Sequence, residues 1–178
     1  MGSTLAHVMI VAGTSRQWDL VDEDQWHERA EALGSVVATA GGSWMTLRAY
    51  QGEDGDGATT DRPRRELVVA NGRCTVIIDP VSDGRERFAE AMRRLRPGGP
   101  VDEKSVAGVL YEPADVEPDL VLILGPPTRL PPSLVWELAY GELVFLPVGF
   151  DELGAEHVAS ALDDYSTRRR RFGGVDDG

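Results

Sequence analysis

Asp119-Leu120-Val121-Leu122-Ile123-Leu124-Gly125 is the stretch whose reading decides the fold. Five consecutive aliphatic residues leave no polar face, so a strand made of them must be covered on both sides. Parallel sheets flanked by helices meet that condition. Four more short β-branched runs, His7–Ala12, Trp44–Tyr50, Arg73–Asp79 and Leu143–Val148, bring the expected strands to five. Between them lie helical patterns. From Glu23 to Ala40 the residues Trp26, Ala30, Leu33 and Val37 recur at helical spacing, and Asp22, Glu23 and Asp24 sit where the helix dipole favours negative charge. Asp83–Leu95, with Phe88, Met92 and Leu95 on one face, Leu134–Tyr140 and Ala155–Arg170 are the other expected helices. Pro97-Gly98-Gly99-Pro100 is a turn before a further short helix, and Gly52–Asp61 is a polar loop. The alternation implies an α/β fold, a single mostly parallel central sheet flanked by helices, with residues 1–178 as one domain.

Composition narrows the function. The chain has 178 residues and a net charge of −12, and such acidity opposes binding to nucleic acid, whose affinity comes from Lys and Arg neutralising phosphates. A membrane span needs roughly 18 consecutive apolar residues, whereas the longest run here is Leu120–Leu124, so no transmembrane segment is expected. The N-terminus lacks the basic-then-apolar pattern of a secretory signal, which points to the cytoplasm. Cys74 is the single cysteine, so an internal disulfide is impossible. Against this acidic background Arg168–Arg171 form a run of four basic residues.

Open α/β sheets bind ligands outside the carboxyl ends of their strands. After the first strand, Ala12-Gly13-Thr14-Ser15-Arg16 offers backbone N–H groups, hydroxyls and a guanidinium suited to phosphate oxygens. The same residues also read as an ordinary strand-to-helix turn with an N-cap. After Leu124, the loop to Arg129 offers one guanidinium but contains Pro126 and Pro127, which lack N–H donors. No P-loop, dinucleotide fingerprint, nucleophile elbow or His-Glu-x-x-His pattern is present. His7, His27 and His157 are scattered and read as strand-edge or helix-surface residues.

Several segments, taken in order, resemble the cis-prenyltransferase family typified by undecaprenyl diphosphate synthase. His7–Trp18 resembles that family's opening His-Val-Ala-Ile-Ile-Met-Asp-Gly-Asn-Gly-Arg-Trp, and Trp26-His27 falls at its Gly-His. Leu47-Arg48-Ala49-Tyr50 is similar to Leu-Tyr-Ala-Phe, and Arg62-Pro63-Arg64-Arg65-Glu66 to Arg-Pro-x-x-Glu. In the last third, Pro118-Asp119-Leu120-Val121 and Leu134-Val135-Trp136-Glu137-Leu138-Ala139-Tyr140-Gly141-Glu142-Leu143 resemble Pro-Asp-Leu-Val and Leu-Leu-Trp-Gln-Leu-Ala-Tyr-Ala-Glu-Leu. Arg168–Gly174 contains the family's terminal Arg-Arg-Phe-Gly-Gly.

The departures carry what the resemblance implies for function. Ala12 stands where the family has the aspartate that binds magnesium and the allylic diphosphate, and a methyl group offers a hard cation no ligand. Arg129 remains from the second diphosphate site, but Ile123, Pro131 and Pro132 replace its other polar positions. The chain passes from Glu66 to Arg73 where the family inserts the long helices that wall its product tunnel. The resemblance thus implies a degenerate, non-catalytic subunit of the Nogo-B receptor type, pairing as a heterodimer with a catalytic cis-prenyltransferase subunit. Its tail, residues 167–178, would supply Arg171 and Gly173 in trans to the partner's site. Gly13, Arg16 and Arg129 would keep residual contact with an isoprenyl diphosphate, Glu142 would be a relic of a metal ligand, and magnesium would be bound mainly by the partner. Membrane contact would be peripheral, through that partner; a homodimer is also compatible with the pattern. Two rival expectations are an active short-chain or atypical transferase using Glu53 or another carboxylate in place of the lost aspartate, and a prenyl-diphosphate-binding protein without catalysis.

Overall fold

The computed structural model describes residues 5–50, 62–95, 97–125, 127–128, 130–139 and 141–172, the last four by backbone alone. Six strands form one sheet: β1 (His7–Thr14), β2 (Trp44–Tyr50), β3 (Arg65–Val69), β4 (Cys74–Asp79), β5 (Leu120–Leu124) and β6 (Glu142–Leu146). Their order is β3-β4-β2-β1-β5-β6, with every neighbouring pair parallel except β3 and β4. The helices are α1 (Ser15–Asp19), α2 (Glu23–Thr39), α3 (Gly84–Arg94), α4 (Glu103–Tyr111) and α5 (Ala155–Phe172). None of the described helices is long and apolar enough to cross a membrane.

The two central strands are buried on both faces, as the aliphatic run requires. Val8, Ile10 and Ala12 of β1, with Leu120 and Leu122 of β5, join a core under α2 and α5. Their alternates Met9, Val11, Val121 and Ile123 join a second core under α3 and α4. Trp26, Ala30, Leu33 and Val37 of α2 are all buried, as their spacing predicts. The capping box between Asp22 and Gln25 starts that helix by satisfying N–H groups that have no intrahelical partner. Asp83 caps α3 and Asp102 caps α4, the short helix expected after the Pro97–Pro100 turn.

Three elements differ from expectation. First, the stretch where the family pattern has long helices contains a strand, β3, turned back onto β4 through Ala70-Asn71-Gly72, all three at positive φ. Asn71-Gly72 is a hairpin signal, since both residues tolerate that region. Second, the described part of the expected helix Leu134–Tyr140, up to Ala139, is not α-helical; the backbone makes separate 3₁₀ turns at Pro132–Leu134 and Glu137–Ala139. Third, α3 presents Phe88 and Met92 to solvent and buries Gly84, Arg87 and Ala91. Arg87 turns inward because two carboxylates await it there, as described below. The polar loop Gly52–Asp61, Glu53 included, lies outside the described residues.

With no inserted helices, α2 rests directly on the β3–β4 hairpin at Gly34. A Cβ there would press on Val69 Cγ2 and lie 2.9 Å from Val76 Cγ2. Gly34→Leu is therefore expected to lower stability by about 1–3 kcal/mol through overpacking. Urea unfolding would show a reduced midpoint with an unchanged slope; an unchanged midpoint would contradict this packing.

Candidate functional site

The loop after β1 is shaped from below by aromatic rings. Ala12 is buried, and its carbonyl accepts a 2.7 Å hydrogen bond from Trp18 Nε1. Gly13 sits at φ +76, and a Cβ on it would lie 2.7 Å from the Phe150 ring, so only glycine fits. Trp26 packs edge-on against Trp18 and tilts against Phe150, over whose ring the Arg29 guanidinium lies, 4.2 Å from the centre. Thr14 then caps α1: its N–H donates to Gln17 Oε1 at 3.0 Å, and its hydroxyl accepts from Gln17 N at 3.3 Å. The loop is thus built as an N-capped strand-to-helix turn, with the Thr14 amide engaged by Gln17. Arg16 is exposed on α1.

Glu142 opens β6 at the other edge of the sheet. It pairs in register with Leu120, and Leu120 with Val8, so the position of Ala12 lies four residues further along, about 13 Å in the strand direction. Glu142 Oε1 accepts from Arg168 Nη1 at 3.1 Å. The helix α5 therefore ends beside Glu142, and the Arg171 backbone belongs to its last turn. Among the predicted site residues, Gly13 and Arg16 share one edge of the sheet, and Glu142 and the end of α5 share the opposite edge. Arg129 and Gly173 lie outside the described residues, as does the Arg171 side chain.

Ala12 offers no oxygen ligand and Glu142 faces Arg168, so these two positions do not fit a magnesium ion within one protomer. Among the described residues no group of three or more His, Cys, Asp or Glu side chains is arranged to hold a metal.

Sequence reasoning missed a buried ionic group beneath α3. Arg48 of β2 is 1% exposed; its Nη1 donates to Glu137 Oε1 at 2.7 Å and its Nη2 to Asp79 Oδ2 at 3.3 Å. Arg87 of α3 adds Nη1 to the same Glu137 oxygen at 3.3 Å and places Nε 3.5 Å from Asp79 Oδ2. Burial alone would raise the Glu137 carboxyl, but the two guanidiniums outweigh it and hold its pKa at about 2. The signal was an arginine inside a strand covered on both faces, which has to be paired.

His7 is buried as well, not a surface residue. Its Nδ1 lies 3.0 Å from the Val116 carbonyl and its Nε2 2.9 Å from Thr46 Oγ1. The carbonyl only accepts, so Nδ1 carries the proton and Nε2 accepts from the threonine hydroxyl. Burial lowers its pKa to about 4, against a modest opposing effect of the Val116 carbonyl.

A family model described as putative undecaprenyl diphosphate synthase matches residues 64–173. Isoprenyl transferase 2 of Bradyrhizobium diazoefficiens is 29% identical over 118 residues, covering 62% of this chain and 47% of that protein. The isoprenyl transferase of Heliobacterium mobile is 34% identical over 127 residues, covering 64% and 49%. The chain thus spans about half the length of the curated relatives it matches. In fold, a probable undecaprenyl diphosphate synthase from Campylobacter jejuni superposes with a TM-score of 0.61 at 16% identity, covering 97% of this chain and 100% of that one. A lavandulyl diphosphate synthase from Lavandula x intermedia, solved in complex with dimethylallyl diphosphate, gives 0.60 at 18%, covering 91% and 95%.

The His7 environment sets a pH dependence. The unfolded chain protonates His7 near 6.5 and the folded chain only near 4, so stability is lost as pH falls between those values. This histidine alone accounts for about 3 kcal/mol of that loss. Denaturation across the window is expected to show this slope in the native chain and not in His7→Gln; an identical slope in both would contradict the assignment.

Proposed function

Because the chain belongs to the undecaprenyl diphosphate synthase family, we propose that it serves as a non-catalytic subunit for a catalytically complete cis-prenyltransferase and places Arg171 and Gly173 in that partner's site. The observation that carries this reading is the direction of α5. Arg168, in its last turns, lies beside Glu142, at the edge of the sheet opposite Gly13 and Arg16, so α5 runs away from this protomer's own strand-end loops. Three features weigh against self-sufficient catalysis. Ala12 lacks the carboxylate, Trp18, Trp26 and Phe150 fill the space under the first loop, and a hairpin occupies the place of the tunnel helices.

A separate apolar ridge is exposed on α3 and on the segment before β6. Phe88 and Trp136 stack with ring centres 6.1 Å apart, and Met92, Val135 and Leu138 beside them are 38–52% exposed. Trp136 Nε1 donates to Glu117, just before β5, and the ridge lies on the face of the sheet covered by α3 and α4, opposite the face covered by α5. Magnesium, carried mainly by the partner, supplies charge neutralisation when bound. This chain's part is a guanidinium that stabilises negative charge developing on the departing diphosphate as the allylic carbon–oxygen bond breaks.

A catalytic reading is favoured by one observation: the similar proteins bear the name isoprenyl transferase. Magnesium-dependent isopentenyl transfer separates the readings. The complex is expected to turn over at least tenfold faster than the partner alone, and Arg171→Ala to lower that rate without dissociating the complex. Equal turnover with and without this chain would overturn the subunit reading. Turnover by the isolated chain would establish an enzyme, and farnesyl diphosphate binding without turnover or partnering a binding protein.

A further inference from the structure

We propose that a cavity between the end of β4, α3 and α4 is a binding site for a small zwitterion with an aliphatic body, the chemistry of a free aliphatic amino acid; this is independent of the subunit reading. The cavity has a volume of about 310 Å³, which is enough for a ligand of that size. Asp79, the last residue of β4, and Val81 line it, so it opens outside the carboxyl end of a parallel strand, where open α/β sheets take ligands. Its Ala91 and Leu110 belong to the core under α3 and α4. The Gly13–Arg16 loop rests instead on Phe150, in the core under α2 and α5, so the two places are separate.

The cavity wall carries both signs of charge, Arg64, Arg87, Arg93 and Arg94 against Asp79, Glu86 and Glu90. Most of these charges already have partners within the protein. Arg87 Nε lies 3.5 Å from Asp79 Oδ2, and the same guanidinium meets Glu137. Arg93 Nε donates to Glu90 Oε2 at 2.9 Å, and Arg94 pairs with the Glu112 carboxylate. Among the described residues, one group of each sign is left over. Arg64, just before β3, donates to the backbone carbonyl of Glu112 and has no carboxylate within ion-pair distance. Glu86, in the first turn of α3, has neither a hydrogen bond nor an ion pair through its side chain.

These two leftover charges decide the class of ligand. A simple anion would find Arg64 but also face Glu86, and a simple cation would meet the reverse. A molecule bearing one carboxylate and one ammonium satisfies both at once. Arg64 suits the carboxylate, because a guanidinium recognises its two oxygens in one plane, and Arg94 stands near it through their shared neighbour Glu112. The rest of the wall suits an aliphatic chain. Ala91 and Leu110 are buried, Val81 and Val109 are half-buried, and none of the four brings a polar side chain. A ligand held this way would tie the start of β3 to α3 and α4.

Isothermal titration of the full chain with leucine, isocaproate and isoamylamine tests the assignment, since the last two lack the ammonium and the carboxylate respectively. Leucine is expected to bind with a Kd of about 0.1–1 mM, and each of the others at least tenfold more weakly. Arg64→Gln and Glu86→Gln alter exposed positions, and both variants are expected to stay folded by circular dichroism and to weaken leucine binding at least tenfold. Arg85→Gln removes an exposed charge beside Glu86 but outside the cavity wall, and is expected to change the affinity less than twofold. No saturable heat with leucine up to about 20 mM overturns the site. Isocaproate binding as tightly as leucine overturns the zwitterion in favour of a plain anion. An equal loss in Arg85→Gln and Arg64→Gln overturns the placement.

Discussion

β1 is held in parallel register on both sides, by β2 and by β5. That constraint orders the rest of the molecule. When a strand has parallel neighbours, each loop after a strand leaves at one edge and each returning segment must cross back to the other. The Gly13–Arg16 loop therefore belongs to one edge. The helix α5, which follows the parallel strand β6, returns to the opposite edge and brings Arg168 against Glu142. No local rearrangement moves the end of α5 to its own first loop without breaking the sheet.

Burial of charge is the second organising theme. Arg48, Arg87, Asp79 and Glu137 cancel one another beneath α3, and burial keeps His7 neutral, its two ring nitrogens both hydrogen-bonded. The exposed salt bridge between Arg168 and Glu142 contributes little energy by comparison, and its value is as a marker of where α5 ends. Charges that look dispensable in an acidic chain thus divide into two kinds: those that shape a surface from beneath and those that decorate one.

Much of the fold was legible because apolar periodicity is a strong signal. Leu120–Leu124 announced a strand buried on both faces, and Trp26, Ala30, Leu33 and Val37 announced the buried stripe of α2. β3 was missed because Arg65-Glu66 interrupt the apolar pattern at an edge where only Val69 is buried, and the Asn71-Gly72 turn was not weighed. Leu134–Tyr140 has helical spacing, but tertiary anchors at Leu134 and Glu137 hold it as 3₁₀ turns. The inner face of α3 was misread because hydrophobicity selects Phe88 and Met92, whereas the core offers two carboxylates to Arg87. For the site, the loop at Gly13 and the arginine end of α5 were visible in the sequence. Their placement at opposite edges was not, since it follows from strand direction.

The most direct measurement is a structure of the complex with a catalytic protomer, magnesium and an allylic diphosphate. The account predicts both ligands in the partner's site, with Arg171 of this chain directed at the diphosphate oxygens. Diphosphate and magnesium well ordered over Gly13 and Arg16, held by side chains of this protomer itself, would contradict it.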